Sequence, residues 1–258
     1  MHRGTLIVVT AVLGALLAAA IASGELTQKG NLRLAFGGSF APKDLPRDRP
    51  APIAVEVEGS IGTTDGTTPP VLQKVEIGIN RAGLISTLGL PTCTASRLQS
   101  TTAAEALDRC RPALVGHGSF SARIGGTQGP VPASGKILAF NGRAGGKPAL
   151  LLQLTSRAPV RIAFVVPLKI ERRPNQRFGT VLAAQLPTLA AGAATVTAIK
   201  INIARDYTYR GQRRSFLSAS CAAPAGFTAA IFAFARGSFH FSDGKTIDIS
   251  LVRDCRVR

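Results

Sequence analysis

Period-two alternation constrains this chain more than any other feature. Ile162, Phe164, Val166, Leu168 and Ile170 recur at every second position, so in an extended chain they share one face. Ile53, Val55 and Val57 alternate with Ala54, Glu56 and Glu58. Val75, Ile77 and Ile79 alternate with Lys74, Glu76 and Gly78, and Ile199, Ile201 and Ile203 with Lys200 and Asn202. Phe232 and Phe234 stand between alanines, and Phe239 and Phe241 flank His240. Such segments are antiparallel strands with one face on a core and the other toward water. Turn chemistry separates them. Asp65-Gly66 lies in a Thr- and Pro-rich break, Asn141-Gly142 opens a flexible turn, and Ser242-Asp243-Gly244-Lys245 reads as a tight hairpin. Pro167 inside a strong strand pattern points to an edge or a bulge.

Helix signals are few. Thr102-Ala103-Ala104-Glu105 is a capping box, and good helix formers follow to Arg109. Many short strands at regular spacing predict an all-β fold, an antiparallel β-sandwich with one short helix inside a disulfide-bracketed excursion. The sandwich is expected to span residues 23–258 as one domain. The alternative is two small sandwiches, 23–148 and 149–258, divided near Pro148.

The N-terminus predicts the compartment. Met1-His2-Arg3-Gly4 is a short positive start, and Leu6 to Ile21 is a run of apolar and small residues. Ala20-Ile21-Ala22 supplies the small-x-small pattern of a cleavage site, so residues 1–22 read as a signal peptide. An uncleaved anchor is the alternative, although the run falls short of the ~20 residues that a spanning helix prefers. The expected location is therefore exported, either secreted or associated with the cell envelope.

Four cysteines, Cys93, Cys110, Cys221 and Cys255, lie beyond that segment. An even count in an oxidising compartment predicts two disulfides, and three pairings are open. The nearest-neighbour pairing, Cys93–Cys110 and Cys221–Cys255, is the preferred one. Strand parity favours the second bridge, because Leu217, Ala219 and Cys221 share a face, as do Ile247, Ile249, Leu251 and Cys255. Arg253 also falls on that face. The spacing fits neither a CxxC redox pair nor a zinc site.

Composition narrows function without fixing it. The net charge of +17 attracts polyanions: anionic envelope polymer, lipid head groups or an acidic envelope protein. Aromatic residues are only 5% of the chain, with no Trp, so base-stacking platforms are scarce. Together with export, this argues against a nucleic-acid partner. Neither a cofactor nor a metal is expected. His117 in Gly116-His117-Gly118-Ser119 invites a nucleophilic reading, but there is no G-x-S-x-G elbow, and the polar side of a strand explains it more simply. His240 has the same simpler reading. Glu56, Glu58, Glu76 and Asp248 could in principle pair for hydrolysis, yet each falls on a polar strand face. The most unusual segment runs from Asp206 to Arg214. It holds Tyr207, Tyr209, Arg210, Arg213 and Arg214 in an apparent hairpin loop, and Tyr with Arg is the pairing enriched at binding hot spots. A second basic loop, Glu171 to Arg177, could lie near it.

Several pieces in order carry a resemblance: Pro42-Lys43-Asp44-Leu45-Pro46-Arg47, Gly89-Leu90-Pro91-Thr92-Cys93, Cys110 with Leu114-Val115-Gly116-His117-Gly118, Phe178-Gly179-Thr180, and Phe241-Ser242-Asp243-Gly244 with Cys255. The arrangement resembles a group of exported β-rich proteins with paired cysteines, found mostly in high-GC bacteria. The resemblance implies export and disulfides. No activity attaches to that group, so it carries over no site residue. The leading expectation is a non-enzymatic, exported binding or structural protein of the envelope. The alternatives are an exported hydrolase and a carrier of an apolar ligand held between two sheets.

Overall fold

The structure, a computed structural model, describes residues 24–126, 129–159, 161–187 and 194–258. The signal segment read over residues 1–22 lies outside the described residues. The first strands are β1 (Glu25–Lys29), β2 (Leu32–Ala41), β3 (Asp44–Leu45), β4 (Ala51–Pro52), β5 (Ala54–Thr63), β6 (Leu72–Asn80), β7 (Gly83–Ile85) and β8 (Cys93–Thr94). Helices α1 (Ala95–Leu98) and α2 (Ala103–Cys110) follow. Next come β9 (Leu114–Ile124), β10 (Val131–Ala144), β11 (Lys147–Ser156), β12 (Ile162–Arg172), β13 (Phe178–Gln185) and β14 (Ala194–Ile203). The chain closes with β15 (Asp206–Tyr209), β16 (Gln212–Ser215), β17 (Leu217–Ala219), β18 (Ala229–Phe241) and β19 (Thr246–Val257).

The fold is all-β, as the alternation predicts. Its two layers are arms of a single curled sheet. That sheet runs β1-β2-β5-β14-β9-β10-β11-β12-β13-β6-β18-β19-β3, with β8 added beside β10. The pairings along it are antiparallel except for the short β3 and β8 additions. Pro148 lies within β11, opposite Arg143 of β10. The two ends of the sheet meet face to face. Leu32, Leu34 and Phe36 of β2 pack against Phe239 and Phe241 of β18 and Ile247, Ile249 and Leu251 of β19. Side chains stitch this seam. Arg253 Nε donates to the Gly38 carbonyl at 2.6 Å, and Lys29 Nζ to the Thr246 carbonyl at 3.2 Å. Arg253, the one charged residue on the apolar face of β19, is thereby accommodated.

Two local irregularities let the alternation serve the core. Phe232 and Phe234 differ in parity from Phe239 and Phe241, so a regular strand would turn one pair outward. The register shifts between Ala233 and Ala235, and both pairs then point inward. Pro167 pairs with Leu151 on one side, while the β13 pairing starts only at Lys169, so β12 is locally an edge at Pro167 on its other side. Gly118 marks a close approach, since a Cβ there would run into the Lys200 carbonyl of β14.

The excursion between β7 and β9 covers the outer face of the sheet. Both bridges form as preferred, each with Cα atoms 5.8 Å apart. The capping box of α2 is present, with Glu105 N–H donating to Thr102 Oγ1 at 3.3 Å and Thr102 N–H to Glu105 Oε2 at 2.7 Å. One further turn of helix, α1, precedes it. Leu98, Ala106 and Cys110 sit on Leu138, Phe140, Leu151 and Val165 of β10, β11 and β12. These strands are therefore buried on both faces. A small second sheet, β4-β17-β7, lies across one end of the molecule, and the Cys221–Cys255 bridge ties it to β19.

Candidate functional site

The inward faces of the curled sheet do not fill the space they enclose. A void of about 220 Å³ lies between its arms, walled by residues that include Phe36, Leu152, Phe164, Val166, Leu182 and Phe239. A second void of about 100 Å³ adjoins it toward Phe40, Phe232 and Phe234. The alternating residues named above build both walls, because period-two patterning puts every second aliphatic side chain inside. The cause of the void is geometric. A sheet curled from this many strands encloses more volume than Val, Leu and Ile side chains occupy. Among the described residues the walls carry no charged side chain; Thr195, Thr197 and Asn80 are among the few polar ones. Native interiors ordinarily have few voids larger than a water molecule. An apolar cavity of ~150 Å³ stays dry and admits a benzene-sized guest.

The Tyr/Arg segment forms the β15–β16 hairpin, turned at Arg210-Gly211 with both residues in the left-handed region. Tyr207 OH donates to the Leu88 carbonyl at 2.7 Å, and its ring packs against the main core. The Tyr209 ring covers Gly89, which adopts a φ of 77° and has no room for a Cβ. The Arg210 and Arg214 guanidinium groups lie 5.3 and 5.9 Å from the Tyr209 ring centre. Arg213 projects outward, 4.0 Å from the Asp206 carboxylate, its side chain 90% exposed. The structure thus brings the five residues onto one hairpin, with the tyrosines turned toward the protein, Arg210 and Arg213 exposed, and Arg214 half-buried opposite Tyr207. At the end of β12, Arg172 Nη2 reaches the Ile85 carbonyl of β7 at 2.5 Å, a contact with the small second sheet and not with the hairpin.

The remaining titratable candidates stand apart from the void. His117 is exposed on β9, opposite Leu138 and Asn202. His240 Nδ1 is 3.1 Å from Thr246 Oγ1, and its Nε2 faces both Ser238 Oγ at 3.5 Å and Glu76 Oε2 at 4.0 Å. The Thr246 hydroxyl and the Glu76 carboxylate thus lie on opposite ring nitrogens, as in a triad, but the 4.0 Å contact with Glu76 exceeds the hydrogen-bond reach that orients such a base. Glu56 pairs with Lys200 at 3.0 Å and Asp248 with Arg236 at 3.6 Å, both at the surface. Among the described residues, no group of three or more His, Cys, Asp or Glu is placed to hold a metal ion. Nor is any helix among them long and apolar enough to cross a membrane.

The lumen residues carried a partial signal in the sequence. The inward alternation is legible, but it reads as core, because periodicity shows that a face is apolar and not what faces it. A second signal is the run Ala149-Leu150-Leu151-Leu152-Gln153-Leu154, apolar on both parities, which marks a strand covered on both sides. No family model matches the chain, and no curated protein or solved structure is similar to it.

Proposed function

We propose that this chain is an exported, non-enzymatic binding protein that holds an apolar ligand between the arms of its curled sheet. The void of about 220 Å³ carries the reading. Native interiors are close-packed, and a large concave space walled almost wholly by apolar side chains is the usual form of a small-molecule site. A guest that fills the space with methylene groups removes its own apolar surface from water and gains contact with those walls. Export is supported by the layout of residues 1–22 and by the two disulfides, which belong to an oxidising compartment. The net charge of +17 and the exposed Arg210 and Arg213 of the β15–β16 hairpin would hold the protein near anionic envelope polymer, lipid head groups or an envelope protein. The solvent position of His117 and the loose 4.0 Å contact of His240 with Glu76 lend support to the non-enzymatic reading over hydrolysis.

The test is a fluorescence titration of delipidated, oxidised protein with an environment-sensitive apolar dye. One saturable site is expected, with a rise in melting temperature that follows dye concentration and with affinity insensitive to salt. Absence of saturable binding, or binding lost at high salt, would overturn it.

A further inference from the structure

Beyond the existence of an apolar site, and resting on that reading, we infer that the ligand is a single long unbranched chain lying along the strands and threading both voids, not a compact ring system seated in the larger one. The two voids share Phe36, Val57, Ile77, Leu150, Leu182 and Ile203 as common wall. They follow one another along the same strand faces. On β5 and the residue before it, Ile53, Val55 and Val57 line the smaller lobe, and Val57, Gly59 and Ile61 the larger. On β6, Ile79 and Ile77 line the smaller lobe, and Ile77 and Val75 the larger. Placed end to end along these strand faces, the two voids together are elongated in the strand direction. Eight residue steps from Ile53 to Ile61 span ~26 Å at the rise of an extended strand. That exceeds the ~15 Å depth of hydrocarbon in one bilayer leaflet, half of a ~30 Å core. The smaller lobe, at about 100 Å³, falls below the ~150 Å³ that accepts a benzene ring, so only a flexible chain end suits it.

The two ends differ in chemistry. The smaller lobe closes against Ile85, Phe216 and Leu217, where Ile53 N–H donates to the Leu217 carbonyl at 3.1 Å and Ser86 N–H to the Phe216 carbonyl at 2.9 Å. The far end of the larger lobe is rimmed by Val71, Pro187 and the hydroxyl-bearing Thr195 and Thr197. The methyl end of the chain lies in the smaller lobe among Phe40, Phe232 and Phe234, and the polar head lies toward Thr195 and Thr197.

The experiment is a homologous series of straight-chain fatty acids, titrated against the delipidated protein by displacement of the apolar dye. Affinity should rise ~4-fold per added methylene through the long-chain members, since each buried methylene is transferred from water. Val55→Phe, which blocks the smaller lobe, should end that rise several carbons earlier. A wild-type rise that already stops at short chains would overturn the inference and leave a compact guest in the larger lobe. This wild-type series decides the matter even if Val55→Phe does not fold. Failure of both the dye and every chain to bind would instead remove the underlying binding function.

Discussion

Val165 and Val166 are neighbours on β12, both buried, and they face different surroundings. Val165 lies under the helical excursion with Leu98 and Phe140, whereas Val166 lines the larger void. The same substitution to Phe should therefore have opposite effects. Val165→Phe inserts four carbons into a close-packed layer, and overpacking of this kind costs ~1–3 kcal/mol. Val166→Phe places them in a void of about 220 Å³. At ~0.8 kcal/mol per buried carbon the gain has a ceiling of about 3 kcal/mol, and imperfect ring fit leaves ~1 kcal/mol. The two variants should differ by ~3 kcal/mol, which in a domain of this size separates their melting temperatures by ~6–12 °C. Urea unfolding of the oxidised proteins, with equal slopes, measures the difference directly. Equal destabilisation by both substitutions would refute an open lumen.

Three further outcomes follow from the geometry. Replacing Cys221 and Cys255 with Ser frees a 34-residue separation and should cost ~4 kcal/mol in urea unfolding, against ~3 kcal/mol for the 17-residue Cys93–Cys110 bridge. Replacing Arg210, Arg213 and Arg214 with Ala should weaken co-sedimentation with isolated cell envelopes at low salt, while high salt abolishes the difference; an unchanged pellet would remove the hairpin from envelope attachment. Asp65 accepts hydrogen bonds from the Thr67 hydroxyl at 2.6 Å and the Asn31 amide at 3.1 Å, which hold its carboxyl well below the usual range. With the folded pKa lowered, the contribution of these bonds is whole above the ordinary value of 3.8 and is lost only as pH falls through the lowered one. NMR titration should find Asp65 still ionised at about pH 3, where an ordinary carboxyl is mostly protonated.

Much of the fold was legible because antiparallel strands write their faces into the sequence at a period of two. Ile162 to Ile170 reads as a single inward face and is one. The capping box at Thr102 and the pairing of Cys221 with Cys255 were legible for the same local reason: each depends on a few residues at fixed spacing. Closure was not legible. Nothing within β2 says that Leu34 and Phe36 will meet Phe239 and Ile249 from the other end of one sheet, since that contact depends on twist accumulated over many strands. The buried polar residues are not legible either: Asn141-Gly142 reads as the opening of a turn, yet both lie within β10 and the turn falls at Gly145-Gly146. Gln153 Nε2 donates to the Thr101 carbonyl at 2.9 Å and Asn141 Nδ2 to the Pro91 carbonyl at 2.9 Å, so both face the excursion, whose docking site no local pattern encodes. The void is the remainder between enclosed volume and side-chain volume, and no residue announces it.

A crystal of the protein grown with a terminally brominated long-chain fatty acid tests the central claim most directly. The account predicts one anomalous bromine peak in the smaller lobe, among Phe40, Phe232 and Phe234, with continuous chain density past Phe36 and Ile77 into the larger lobe. Bromine found only on the outer surface, with the lumen closed by its own side chains, would contradict it.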